Sequence, residues 1–216
     1  MVTITHLTKK LVEENIMLED YLSRGLINYI ALAEKLKPRI EKELGKKIKV
    51  SSIAMALRRA SEKAKQKQGK NYSLKNCDLT LKGNLCDITV YKSPALFAKL
   101  KKLYEIVDYN KGDILNIIHG NYDVSIITNE SFEKKLKNML DGEKILNSEK
   151  NLVALTVKFG DFFMHIPGVT YSLLKQLVAE NINLIEILSS LVEVTFIIDK
   201  KDATKGYNAL EEFLEK

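Results

Sequence analysis

Residues 113–128 read DILNIIHGNYDVSIIT and residues 183–199 read NLIEILSSLVEVTFIID. Each is a pair of apolar, β-branched runs broken by a few polar residues, which predicts two adjacent strands: 113–119 and 122–128 in the first case, 183–189 and 191–198 in the second. His119-Gly120-Asn121 supplies the tight turn of the first pair. Reading outward from 113–128, a strand is expected at 85–91, a helix at about 94–106, a helix at about 131–140 and a short strand near 143–147. Ser93-Pro94 suits the cap and first position of the earlier helix. Outward from 183–199 come a strand at 152–159, a helix at 169–180 and a helix at 200–214. The order βαββαβ therefore occurs twice, the hallmark of an internally duplicated ferredoxin-like unit of about 65 residues. The second copy lacks its own last strand, so something must cover the open edge: the strand at 77–82, the neighbouring copy, or a second subunit.

Upstream, Cys77 to Leu81 and Leu85 to Tyr91 alternate around Lys82-Gly83-Asn84, which predicts a hairpin, either the wing of a winged helix or the edge of the following sheet. Residues 65–76 are polar and read as a linker. Before them the chain is helical. Leu7, Leu11, Ile16 and Leu18 form a first helix closed by Gly25; Asn28 caps a second with Ala31, Leu32, Leu36, Ile40 and Leu44; Pro38 should kink or divide it. A third, starting at Ser51 or Ser52, carries Val50, Ile53, Ala54, Leu57, Ala60 and Ala64 on one face and Arg58, Arg59 and Lys63 on the other. The expected architecture is α+β: a helical basic module at 1–70, with a winged helix as one form it could take, a hairpin or linker at 71–84, and two βαββαβ units at 85–148 and 149–216.

Charge separates these parts. The chain has 216 residues and a formal charge of +6; residues 1–70 hold 16 of its 34 Lys and Arg but only 8 of its 28 Asp and Glu, leaving 18 against 20 in the remainder. Three helices, the last basic and beginning after a tight basic turn, fit a polyanion such as DNA, with Lys49, Ser52, Arg58, Arg59 and Lys63 as nucleic-acid contacts. A solvated lysine-rich surface is the plainer reading. No run approaches the roughly 18 apolar residues of a membrane span, and the N-terminus lacks a signal-peptide layout, so a cytoplasmic protein without a membrane partner is expected. Two cysteines, Cys77 and Cys86, and three histidines are too few for a disulfide framework or a zinc site. HExxH, G-x-x-x-x-G-K-[ST], G-x-G-x-x-G and G-x-S-x-G are missing, so neither a cofactor nor catalysis is expected.

The segment from Leu152 through Ile166-Pro167-Gly168-Val169 to Asn181-Ile182-Asn183-Leu184-Ile185 and Ser189-Ser190 resembles the ACT domain, above all the tandem regulatory region of aspartate kinases and archaeal ACT proteins presumed to regulate amino-acid metabolism. The resemblance is specific over about 60 C-terminal residues and looser back to residue 85. It implies an amino-acid ligand, allosteric regulation, and a homo-oligomer, a dimer or larger, assembled through the ACT units. Gly168, where a strand becomes a helix, lets the backbone approach a carboxylate at unpaired helix N–H groups. Ile166, Pro167, Gly168, Val169, Asn181, Asn183 and Ser190 are the candidate ligand residues, with His165 beside them. Kinases that sense charged amino acids carry acidic residues where Ile185 and Leu191 stand here, with Glu186 one position away, so a small or apolar amino acid, or no ligand, is expected. The equivalent turn in the first copy, Lys92-Ser93-Pro94-Ala95, has no glycine and is expected to be structural or dimer-forming. Two functions follow: an amino-acid-sensing transcriptional regulator binding DNA through the N-terminal helices, or a non-catalytic subunit giving feedback control to a biosynthetic enzyme, with Leu22, Ile27 and Tyr29 among the docking residues.

Overall fold

The computed structural model describes residues 3–68, 77–160 and 166–215, and the chain separates into two compact units, 1–72 and 73–216. In the first unit every described element is a helix: α1 (Ile4–Glu13), α2 (Ile16–Ser23), α3 (Tyr29–Leu44) and α4 (Val50–Gln68). Asn15 divides the expected first helix, because its side chain accepts from the Leu18 amide and so caps a new one. Pro38 does not divide α3; it lies on the exposed face, where a missing N–H leaves no buried acceptor unpaired. The core of this unit joins Leu7, Leu11, Leu22, Ala33, Ile40, Ile53 and Leu57. A buried chain of hydrogen bonds ties three helices together: Tyr29 Oη donates to Ser61 Oγ at 3.0 Å, and Ser61 Oγ to the Leu22 carbonyl at 2.6 Å.

The second unit holds β1 (Asp78–Tyr91), α5 (Pro94–Leu103), β2 (Leu115–His119), β3 (Asp123–Asn129), α6 (Glu133–Met139), β4 (Ile145–Lys158), α7 (Val169–Ala179), β5 (Leu184–Ser189), β6 (Glu193–Asp199) and α8 (Ala203–Leu214). The expected hairpin at 77–91 does not form. Asp78 to Tyr91 is one strand, and Gly83-Asn84 is a β-bulge: Lys82 pairs with Ala154 and Leu85 with Leu152, so two residues oppose Val153 alone. Asn84 takes the left-handed φ of 58° that the bulge requires. The short strand near 143–147 and the strand at 152–159 are likewise a single strand, β4, bulged where Asn151 has φ 54°.

These two 14-residue strands pair antiparallel at the centre of a six-stranded sheet ordered β2-β3-β1-β4-β6-β5. Each serves both copies. Residues 85–91 are the first strand of copy one, while 78–82 fill the open edge of copy two by pairing with 154–158; β4 reciprocates with its two halves. Of the three expected ways to cover that edge, the strand at 77–82 is the one realised.

The bulges also keep the helices on one face. α5 and α6 pack on Ile88, Val90, Val124 and Ile126, while α7 and α8 pack on Val153, Leu155, Val157, Val194, Phe196 and Ile198. The opposite face gathers Leu85, Ile127, Leu152, Ala154 and Ile197 with no helical residue among them.

Gly206 lets α8 lie close to the sheet: a Cβ there would stand 2.9 Å from Leu155 Cδ1 and 3.1 Å from Ile198 Cδ1. Gly206→Val overpacks this contact and is expected to lower stability by about 1–3 kcal/mol in urea unfolding.

Candidate functional site

Strand direction decides which residues can meet. The carboxyl end of β4, the amino end of α7 and the β5–β6 turn share one end of the second copy, where the Phe159 amide donates to the Val192 carbonyl at 2.7 Å and the Ser190 amide to the Glu193 carbonyl at 2.9 Å. Gly168 precedes α7 with φ 87°, and no side chain caps the helix there. A Cβ at Gly168 would meet open space, so the backbone is freely approached. Val169 is buried, Ile166 half-buried and Pro167 exposed. Ser190 therefore joins the Ile166–Val169 stretch at one end. Asn181 and Asn183 do not: they lie past the other end of α7, an 11-residue helix about 16 Å long. Asn181 holds a left-handed φ of 56°, and the Asn181 and Ile182 amides close the helix on the Val178 and Leu177 carbonyls. These are turn formers, and the helix lies between them and Gly168. His165 falls outside the described residues.

The topologically equivalent end of the first copy holds a cleft of about 530 Å³ lined by Tyr91, Lys92, Ser93, Pro94, Phe97, Asn121 and Tyr122. It forms because the Lys92 amide donates to the Tyr122 carbonyl at 2.8 Å and Lys92 Nζ to the Gly120 carbonyl at 2.9 Å, fixing the β2–β3 turn beside the start of α5. Ser93 Oγ accepts from the Leu96 amide and donates to Glu143 Oε2 at 2.7 Å; Lys99 Nζ reaches Glu143 Oε1 at 2.9 Å. Phe97 stacks on His119 with centroids 5.9 Å apart. Sequence reading overlooked this cleft because it looked for a glycine. Ser-Pro does the same positioning through a side-chain cap and a preset φ.

On α4 the sequence-predicted basic residues are exposed. Ser52, Arg59 and Lys63 are spaced to share one side, opposite buried Ile53, Leu57, Ser61 and Ala64. Lys49 precedes the helix and accepts the Ser52 amide with its carbonyl; Arg58 pairs with Glu62 at 3.5 Å. Among the described residues the expected wing hairpin does not form, because both of its strands are part of β1. Leu22 is fully buried in the helical core and offers no docking surface, while Ile27 and Tyr29 are half-buried. Among the described residues the large apolar side chains exposed in this unit are instead Met17, Tyr21, Leu26, Ile30 and Met55.

Burial, with nearby Glu133 and Glu130, pushes the Cys86 thiol up to about 11, and burial also raises Cys77. Neither is a thiolate nucleophile near neutral pH. Among the described residues no group of three or more His, Cys, Asp or Glu is placed to hold a metal ion, and no helix is long and apolar enough to cross a membrane.

No family model and no curated protein matches the chain. Solved structures do share its fold. The ligand-free regulatory subunit of aspartate kinase from Thermus thermophilus superposes with a TM-score of 0.50 at 15% identity, covering 62% of this chain and 95% of that one. A structure of aspartokinase alpha and beta subunits gives 0.53 at 18%, covering 64% and 97%. The allosteric aspartate kinase of Clostridium acetobutylicum gives 0.54 at 16%, covering 67% of this chain but 36% of that enzyme. At these identities the likeness is one of fold: an ACT-type regulatory fold, over a share close to that of the second unit, 144 of 216 residues.

Hydrogen bonds from Lys99 and Ser93 hold the Glu143 carboxyl below its ordinary range. A depressed carboxylate stabilises the fold above the unfolded-state pKa and loses that contribution as pH falls through the folded one. Glu143→Gln should therefore lower Tm at pH 7, with the gap to the native protein closing on acidification through the ordinary carboxylate range.

Proposed function

We propose that this protein is a non-catalytic regulatory subunit that binds a small or apolar amino acid and gives feedback control to an amino-acid biosynthetic enzyme, an aspartate kinase being the first candidate. The observation that carries this reading is the pair of ACT-like copies fused into one sheet by shared β1 and β4, together with a fold likeness that spans nearly the whole length of the Thermus thermophilus aspartate kinase regulatory subunit. Ile166, Gly168, Val169 and Ser190 would receive the amino acid's carboxylate at the start of α7, and the first-copy cleft is the equivalent place for a second ligand. Leu191, in the β5–β6 turn, leaves that end without an acidic partner at its position, which favours an uncharged side chain. The exposed apolar residues of α2, α3 and α4 are the docking surface for the enzyme. Transcriptional control through Arg58, Arg59 and Lys63 is the weaker reading, because the fold likeness points to enzyme regulation and the strands expected as a wing are part of β1.

A thermal-shift screen against the twenty amino acids tests the ligand. One amino acid should raise Tm selectively, by an increment worth about 2.7 kcal/mol at a hundredfold over Kd, and Gly168→Asp should abolish the shift by placing a carboxylate where the ligand's would lie. A flat screen at millimolar concentrations overturns amino-acid sensing. Inhibition of an aspartate kinase from the same cell only in the presence of both this chain and that amino acid tests the partner.

A further inference from the structure

The first-copy cleft is built on a different chemistry from the Gly168 turn. At Gly168 no side chain caps α7, so the amides of its first turn are left for an anion. At the start of α5 those donors are missing or occupied. Pro94 has no N–H, and the Leu96 amide donates to Ser93 Oγ at 3.1 Å, which leaves at most the Ala95 amide. The nearby cations are occupied as well: Lys92 Nζ donates to the Gly120 carbonyl at 2.9 Å, and Lys99 Nζ lies 2.9 Å from Glu143 Oε1. A carboxylate finds little to bind there. What the cleft offers instead is ring surface. Tyr122, Tyr91 and Phe97 line it while 75%, 49% and 45% exposed. Two of these rings are oriented by a neighbour: Phe97 stacks on His119 with the planes 5° apart, and Lys144 Nζ stands 6.0 Å from the centroid of Tyr91. Tyr122 is carried by the turn that the Lys92 amide fixes through the Tyr122 carbonyl at 2.8 Å.

We propose that the first-copy cleft binds a planar aromatic ring, stacked among Tyr91, Phe97 and Tyr122. This rests on the reading of the cleft as the place of a second ligand and gives that ligand a chemical class. Rings already set in place leave apolar surface in water that a flat ligand covers at small ordering cost. The same rings could hold an ammonium group, but Lys92 and Lys144 flank them and the Glu143 carboxylate is taken by Lys99 and Ser93, which disfavours a cation. A volume of about 530 Å³ lies within the range of small-molecule sites. Asn121, exposed on the rim, can hydrogen-bond the polar edge of such a ligand. Aromatic amino acids and nucleobases both present a ring of this kind, whereas an aliphatic amino acid gains no stacking.

Saturation-transfer NMR of the full chain tests this, with phenylalanine, tryptophan and adenosine as probes and leucine as the ring-free control. At least one ring-bearing probe should bind at millimolar concentration, with transfer strongest at its ring protons. Gly168→Asp, which alters only the other site, should leave that signal unchanged, and leucine should give none in this variant. Tyr122→Ala should weaken binding about tenfold, and Tyr122→Phe, which keeps the ring, should restore it. Phenylalanine or tryptophan binding identifies an amino-acid side chain as the source of the ring; adenosine binding alone identifies a nucleobase. The proposal is overturned if no probe gives a ring signal, if leucine binds the Gly168→Asp variant as well as the ring probes do, or if Tyr122→Ala and Phe97→Ala both leave binding intact. Adenosine binding beside a flat amino-acid screen removes amino-acid sensing and keeps this site. A screen hit lost in Gly168→Asp, with no ring signal, does the reverse.

Discussion

Everything in the second unit depends on the antiparallel pairing of β1 with β4. A ferredoxin-like unit needs four strands, and the described residues supply six for two units. The deficit closes because each central strand is long enough to work twice, one half in each copy. The cost falls at the crossover points, where the Gly83-Asn84 and Lys150-Asn151 bulges put a non-glycine residue in the left-handed region. Asparagine tolerates this conformation better than most residues. The bulges keep the apolar faces of both halves of each strand pointing at helices, so a single layer of α5 to α8 covers the sheet.

The same pairing locates chemistry. Because β1 and β4 run in opposite directions, their carboxyl ends, and the helix starts that follow them, fall at opposite ends of the sheet. The first-copy cleft and the Gly168 turn are thus related by the internal duplication, yet the two are built differently. One start is capped by Ser93 and braced by Glu143 and Lys99, while the other has no side-chain cap and a glycine open to solvent. Duplication preserved the frame and let the two ends diverge, one rigid and aromatic, the other exposing backbone.

The helical unit follows another logic. Its core is short apolar packing among four helices, stapled by the Tyr29, Ser61 and Leu22 hydrogen bonds, and its basic residues ride on the outside of α4. Charge at Arg58, Arg59 and Lys63 is thus a surface property that the fold does not require. A basic surface favours association with acidic partners of any kind, so charge composition alone does not choose DNA over a protein.

Most elements were legible in the sequence because their causes are local. Apolar, β-branched runs gave β2, β3, β5 and β6 to within about two residues at each end, Ser93-Pro94 marked the start of α5, and repetition of the order disclosed two copies. Lys82-Gly83-Asn84 was misread for a physical reason: a left-handed asparagine after glycine serves a hairpin turn and a bulge equally well. Only a partner strand some 67 residues away chooses between them. Asn181 illustrates the same limit, since a polar turn residue looks alike whether it faces a ligand or caps a helix. Sequence by itself determined the order of strands and helices, the duplication and the distribution of charge, all of which follow from periodicity and capping within a few residues. Tertiary structure alone decided which strand covers the open edge and which turns share an end. Those outcomes depend on long-range pairing and sheet curvature, which no local pattern encodes.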